Sequence, residues 1–260
     1  MNRLFITGDT HIPIDISKLN TQNFPIQQDL TKDDYVIISG DFGLIWNYKE
    51  TGQNISACPD DTCWTKEELY WYDWLNNKPF TTLWVDGNHE NFDRINKYPV
   101  ETWHGGKVQK ISDSIIHLMR GEIYTIGDTA LFAFGGARST DRGETTGTAK
   151  EDEGKWWWKQ ELPSMQEMDN ARANLKKHNN RVDIVISHAL PDIALAAMGY
   201  FESDLLTSFF NELRKDIDLI NGLLGIITLT DIFSTNISHN TMISLNMKRK
   251  GLTKLYKIAH

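Results

Sequence analysis

At 260 residues the chain can bury a substantial core, and 40% hydrophobic with 24% charged residues is ordinary for a globular protein. A formal net charge of −8 argues against broad nucleic-acid binding, which needs a basic face. Apolar runs such as Leu223 to Ile227 are too short to cross a bilayer, and Met1-Asn2-Arg3 leads into a strand without a signal-peptide apolar region, so no membrane association and a cytoplasmic setting are expected.

In chain order, Leu4-Phe5-Ile6-Thr7 reads as a first strand, followed by Gly8-Asp9-Thr10-His11. Tyr35-Val36-Ile37-Ile38-Ser39 reads as a second and runs into Gly40-Asp41-Phe42-Gly43. Cys58 and Cys63 lie four apart in a Pro/Asp-containing loop; this is not redox spacing, and one pair cannot complete a structural zinc site. Thr65 and Glu68 form a capping box for a helix through Leu75, with Leu69, Tyr72 and Leu75 as its apolar stripe. Thr82 to Asp86 reads as a strand ending at Gly87-Asn88-His89-Glu90. Ile115 to Leu118, Glu122 to Ile126 and Leu131 to Phe134 are close together with glycine turns between them and read as an antiparallel meander, after which comes Gly135-Gly136-Ala137-Arg138. Ser139 to Pro163 reads as a long irregular loop, of the functional or mobile kind, interrupted by Trp156-Trp157-Trp158, and Ser164 to His178 as a helix. Val182 to Ile186 is a strand leading to Ser187-His188-Ala189-Leu190-Pro191. Strands this apolar are covered on both faces, and nothing in the composition divides the chain, so one domain over 1–260 is expected, with 219–260 atypical.

The polar motifs share a position at strand ends, where open sheets bind ligands. Asp9 and His11, two residues apart in a turn, can reach one ion, and the Asp41 carboxylate can bridge two. Asn88 adds an amide oxygen and His188 an imidazole nitrogen, donors that suit manganese, iron, zinc or nickel. Two cations roughly 3.5–4 Å apart can orient a phosphate and stabilise the charge of its transition state. His89 directly follows Asn88 and can face the substrate as a general acid for the leaving oxygen. Each motif alone is ordinary: Asp-x-His and Gly-Asp are common in turns, and the tryptophan run suits a loop anchor. The ordered set is not.

With these residues in order, the chain resembles the calcineurin-like metallophosphoesterase family, especially small bacterial and phage members with a Gly-Gly-Ala segment, from Met1 to about Asp218. The resemblance implies a four-layer α/β/β/α sandwich of two mixed sheets flanked by helices. It implies two divalent metal ions, manganese foremost, with Asp9, His11 and Asp41 on one and Asp41, Asn88 and His188 on the other. His89 matches the family's proton donor, and Asn88 and Arg138 fall near the substrate. The implied activity is hydrolysis of a phosphate mono- or diester in a small molecule, nucleotide or phosphoprotein. The alternative is a non-catalytic binding protein on the same fold.

The family pattern closes with Gly-His-x-His, one histidine to each metal, and here that place reads Leu224-Gly225-Ile226-Ile227-Thr228-Leu229-Thr230. This stretch can be encoded by TTG GGC ATT ATC ACT CTG ACN, and in that choice of codons the third base read with the next two gives Gly-His-Tyr-His-Ser-Asp. A frameshift near Asp216 to Leu219 is therefore the hypothesis, with Thr230 to His260 carrying no selected fold; incompatible codons in the coding DNA would end it. His239 and His260 rank below this loss as substitute ligands. Reduced metal occupancy and poor turnover are the expectation.

Overall fold

The computed structural model describes residues 2–46, 64–139, 153–219, 226–227, 242–247 and 252–258. Among these, an eight-stranded sheet and a four-stranded sheet dominate. The larger sheet is built on parallel strands β1 (Leu4–Thr7), β2 (Tyr35–Ile38) and β3 (Thr81–Trp84), flanked by β4 (Val100–Trp103), β5 (Gly106–Ser112) and β6 (Ile115–Leu118). The smaller one holds β7 (Glu122–Ile126), β8 (Thr129–Phe134) and β10 (Ile184–Ser187), with β8 and β10 parallel. A two-residue strand β9 (Arg181–Val182) pairs with β11 (Asp218–Leu219) in a small third sheet. Both large sheets mix parallel and antiparallel pairs, as expected.

Side-chain alternation along each strand explains the layering. Leu4, Ile6, Tyr35 and Ile37 pack with Leu131, Ala133, Ile184 and Ile186 of the other sheet, forming the sandwich interior. Their neighbours Phe5, Val36 and Ile38 point the opposite way, toward Leu75 and Phe80, so the helix Lys66–Asn76 covers that face. On the far side, Phe132 and Phe134 meet Met168, Leu175, Phe209 and Phe210 from the helices Met165–Lys177 and Leu205–Asp216. Strands buried on both faces need this apolar content throughout. Both capping boxes form: Thr65 accepts from the Glu68 N–H at 3.1 Å and Ser164 from that of Glu167 at 3.2 Å.

Two expectations are corrected. The meander is split, because β6 pairs with β3 and β5 in the large sheet while β7 and β8 form a hairpin in the small one. The chain crosses between sheets at Arg120-Gly121, and Gly121 holds φ +77° against the backbone of Ala171, where only glycine fits. Val182 to Ile186 is two strands rather than one: at Asp183 the backbone N–H donates to the Ala130 carbonyl and the carboxylate accepts from the Ala130 N–H, which ends β9 before β10 begins. Residues after Thr230, whose conformation the sequence leaves open, supply β13 (Met242–Met247), antiparallel to β1, and β14 (Leu252–Ile258) beside it. The open edge of β1 offers its N–H and C=O groups to any extended segment within reach.

The Cys58/Cys63 loop, most of the loops at Trp46 to Thr65 and Ser139 to Pro163, and His239 and His260 lie outside the described residues. Of the tryptophan run, Trp157 and Trp158 are buried anchors and Trp156 is exposed. No helix among the described residues is long and apolar enough to cross a membrane.

Candidate metal centre

Strands β1, β2, β3, β8 and β10 are mutually parallel within their sheets, so their motifs emerge at carboxyl ends. Backbone contacts then knit the first two loops. The N–H groups of Thr10 and His11 donate to the Asp41 carbonyl at 3.2 and 2.8 Å, and the Thr10 hydroxyl and Ile12 N–H donate to that of Phe42. Glu90, buried and given no role by the sequence reading, joins the second loop to the third: one carboxylate oxygen accepts from the N–H of Phe42 at 2.8 Å and of Gly87 at 3.4 Å. His11 and Asp41 adopt φ +35° and +43°, left-handed conformations that cost of order 1–3 kcal/mol each and that the surrounding bonds enforce.

Asp41 is the hub. Its Oδ2 lies 3.2 Å from His11 Nε2 and 3.5 Å from His188 Nε2, while its Oδ1 accepts the His89 N–H at 2.8 Å. Asp9 completes the cluster, 3.6 Å from His188 and 4.0 Å from His11. The His188 Nδ1–H donates to the Ser39 carbonyl at 2.9 Å, which fixes the ring and turns Nε2 toward Asp41. Close approach depends on two glycines. A Cβ at Gly40, whose φ is +121°, would overlap the His188 ring, and one at Gly87 would overlap the Asp41 carboxylate.

Electrostatics mark the cluster as an unsatisfied one. Burial pushes the Asp9 carboxyl up to about 6, with the Asp41 charge adding to it and His188 opposing. Burial also works against the Asp41 charge, but His188 and the His11 bond outweigh it and hold that carboxyl well below the usual range. His188 is driven down by burial yet raised to about 10 by the two carboxylates and Ser39. Asp9 Oδ1 is buried without a hydrogen-bond partner. Such an orphaned carboxylate oxygen beside imidazole nitrogens fits a divalent cation, which would take the place of the protons.

Ligand atoms converge in two groups, Asp9–Asp41–His188 and His11–Asp41–His89, sharing Asp41. The partition differs from the one the resemblance implies, in that His89 joins the His11 group and Asp9 the His188 group. Asn88 and His89 are half-buried beside the cluster, and Arg138 is exposed on the loop after β8. Strand β12 (Ile226–Ile227) runs parallel to β10 with Ile227 opposite Ile186, so the chain leaves it at the end where His188 stands.

Sequence reasoning missed the joint beneath the site. Arg120, at the sheet crossover, donates through Nε to Asp86 at 2.8 Å and through Nη2 to the same carboxylate and to the Gln160 carbonyl. His117 stands 3.3 Å from the other Asp86 oxygen. The Asp86 carbonyl accepts the Gly136 N–H at 2.7 Å, and Gly135 packs against the same residue too tightly for a side chain. Burial opposes the Asp86 charge, but Arg120 and His117 pull the carboxyl down to about 2. A lone arginine after Leu118-Met119 and an aspartate ending an apolar strand were the only signals, and neither specifies a partner.

The profile of the calcineurin-like phosphoesterases matches residues 3–222. The chain belongs to the calcineurin-like phosphoesterase family, a class of metal-dependent hydrolases. The match stops just short of Leu224 to Thr230, where the closing histidines are absent. No curated protein matches the chain.

Proposed function

We propose that the protein is a metal-dependent phosphoesterase cleaving phosphate mono- or diesters at a two-metal centre, with metal affinity weakened by the missing Gly-His-x-His. The observation that carries this is Asp41 Oδ2 set between two imidazole nitrogens, with the orphaned Asp9 Oδ1 alongside. Asp9, His11, Asp41, Asn88 and His188 would hold the cations, manganese foremost. When bound, divalent ions supply Lewis acidity and positive charge to the phosphoryl oxygens. The chain does the rest. Asp41 orients the loop carrying His89 through its N–H, and Arg138, exposed on the loop after β8, would take an anionic oxygen of the substrate. As water forms a new P–O bond and the ester P–O bond breaks, His89 gives its proton to the leaving oxygen. The substrate would be a phosphorylated small molecule, nucleotide or phosphoprotein, met in the cytoplasm.

The absent histidines favour one competing reading, a binding protein that keeps the fold without turnover. Hydrolysis of p-nitrophenyl phosphate and bis(p-nitrophenyl) phosphate with manganese, abolished by Asp41→Ala, supports the enzyme. Silence toward both esters, with phosphate binding retained, supports the binding protein. The frameshift is part of the proposal: a chain rebuilt from the alternative frame beyond Asp216 should gain metal affinity and turnover.

A further inference from the structure

A ladder of rings leads away from the metal centre, and the chemistry above uses only its first members. By ring centroid, His11 and His89 stand 5.4 Å apart, His89 and Trp46 5.9 Å, and Trp46 and Trp158 5.6 Å. Trp158 is the fixed end: it is 2% exposed and its indole N–H donates to Asp93 at 3.0 Å. Trp46 is different. It stays half-buried, as His89 does, although Leu44 and Ile45 immediately before it are in the core. Its carbonyl accepts from the Asn91 side-chain amide at 3.4 Å, which ties its backbone to the loop that follows His89. The indole is thus held at the site by contacts at both ends and keeps part of its surface open.

Position gives this ring a task. A proton donor must face the oxygen that leaves, so the group carried on that oxygen passes the neighbours of His89. Among the described residues, the rings of His11, which belongs to the metal-ligand cluster, and of Trp46 stand beside His89. With His11 occupied by the cation, Trp46 meets the leaving group. Its indole offers a broad apolar face on which a flat ring can stack, whereas a flexible alkyl group gains less from it.

We infer that Trp46 is a specificity-determining residue, forming with His89 an aromatic wall that selects phosphate esters whose leaving group carries a flat ring close to the leaving oxygen. The inference rests on the phosphoesterase reading. It is tested with non-hydrolysable ligands, titrated calorimetrically into protein saturated with manganese. Phenylphosphonate should bind about five- to tenfold tighter than methylphosphonate, the size of one aromatic contact. Trp46→Ala should bring the two within about twofold by weakening phenylphosphonate alone, while Trp46→Phe keeps most of the preference. Methylphosphonate, which touches only the metal centre, reports whether each variant is still folded and loaded. The phosphonate analogue of adenosine monophosphate, in which a methylene replaces the 5′ ester oxygen so that no ester can be cleaved, separates the sources of a flat ring: tighter binding than phenylphosphonate, lost in Trp46→Ala, assigns a nucleoside, and weaker binding assigns a ring bonded directly at the oxygen. Equal affinity for the two phosphonates in the native protein, or a preference that survives Trp46→Ala, overturns the inference and leaves the phosphoesterase reading standing. Binding of neither phosphonate removes both.

Discussion

Gly40→Ala is the smallest substitution that should dismantle the metal centre. Two separate costs arise at this position. The first is conformational: φ is +121°, where an L side chain is strained by about 1 kcal/mol or more. The second is steric. A Cβ at Gly40 falls 2.9 Å from His188 Cβ and nearer still to the ring atoms, where ordinary contact begins at 3.4 Å. His188 must retreat, giving up the Ser39 bond and its alignment on Asp41, and overpacking of this kind costs a further ~1–3 kcal/mol. The expected total is a destabilisation of about 2–4 kcal/mol with manganese affinity down at least ~10-fold. Gly127→Ala supplies the control, since Gly127 has φ +60° but nothing within 4 Å of a new Cβ, and should cost only the strain of about 1 kcal/mol. Urea unfolding and calorimetric manganese titration read the two effects. If Gly40→Ala matches Gly127→Ala in stability and binds manganese as the native protein does, the placement of His188 against Gly40 is wrong.

Metal affinity should rise with pH, because a cation must displace the proton that His188 holds up to about 10. The apparent constant should gain at least about one log unit per pH unit below that value and steepen below about 6, where Asp9 also carries a proton; a flat profile between pH 6 and pH 9 refutes it. Arg120→Ala leaves the buried Asp86 charge with only His117 beside it among the described side chains and should cost about 3–5 kcal/mol in urea unfolding. Asp86→Asn together with Arg120→Met should cost clearly less than the sum of the single changes, and simple additivity would show that the pair does not couple. Lys78, buried against Trp74 and bonded to the Leu19 carbonyl, is lowered by burial to about 8. The folded state sheds this proton before the unfolded chain does, so stability relative to Lys78→Met should climb between pH 8 and pH 10 by up to about 3 kcal/mol, and a constant gap in melting temperature would contradict it.

The parts of the fold that were legible rest on local rules. Thr65 and Ser164 announce their helices because a cap and its glutamate partner sit three residues apart, and Leu4–Thr7 and Tyr35–Ile38 announce strands because both faces are apolar. The glycine-flanked motifs could be placed at strand ends for the same reason. What the sequence concealed is non-local. Whether β6 pairs with β7 or with β3 depends on Gly121 turning the chain between sheets, which spacing alone does not reveal. The hairpin β4–β5 carries exposed polar residues that mimic a loop. At the site, the ligand residue types were readable, but the sharing of Asp41 between two imidazoles, the tether of His188 to Ser39 and the Asp86–Arg120 pair join residues distant in the chain and exist only once the fold has formed.

The proposed metal ligands divide unevenly between the sheets: Asp9, His11, Asp41 and Asn88 follow β1, β2 and β3, whereas His188 arrives alone on β10. A cation held by both sides would be a fastener across the seam of the sandwich, reinforcing the His188–Ser39 hydrogen bond that already joins residues 149 apart. Folding and metal uptake are then one coupled equilibrium. At a free concentration 100 times its dissociation constant the ion adds about 2.7 kcal/mol to the folded state, and a chelator should loosen the two sheets from one another before it unravels either.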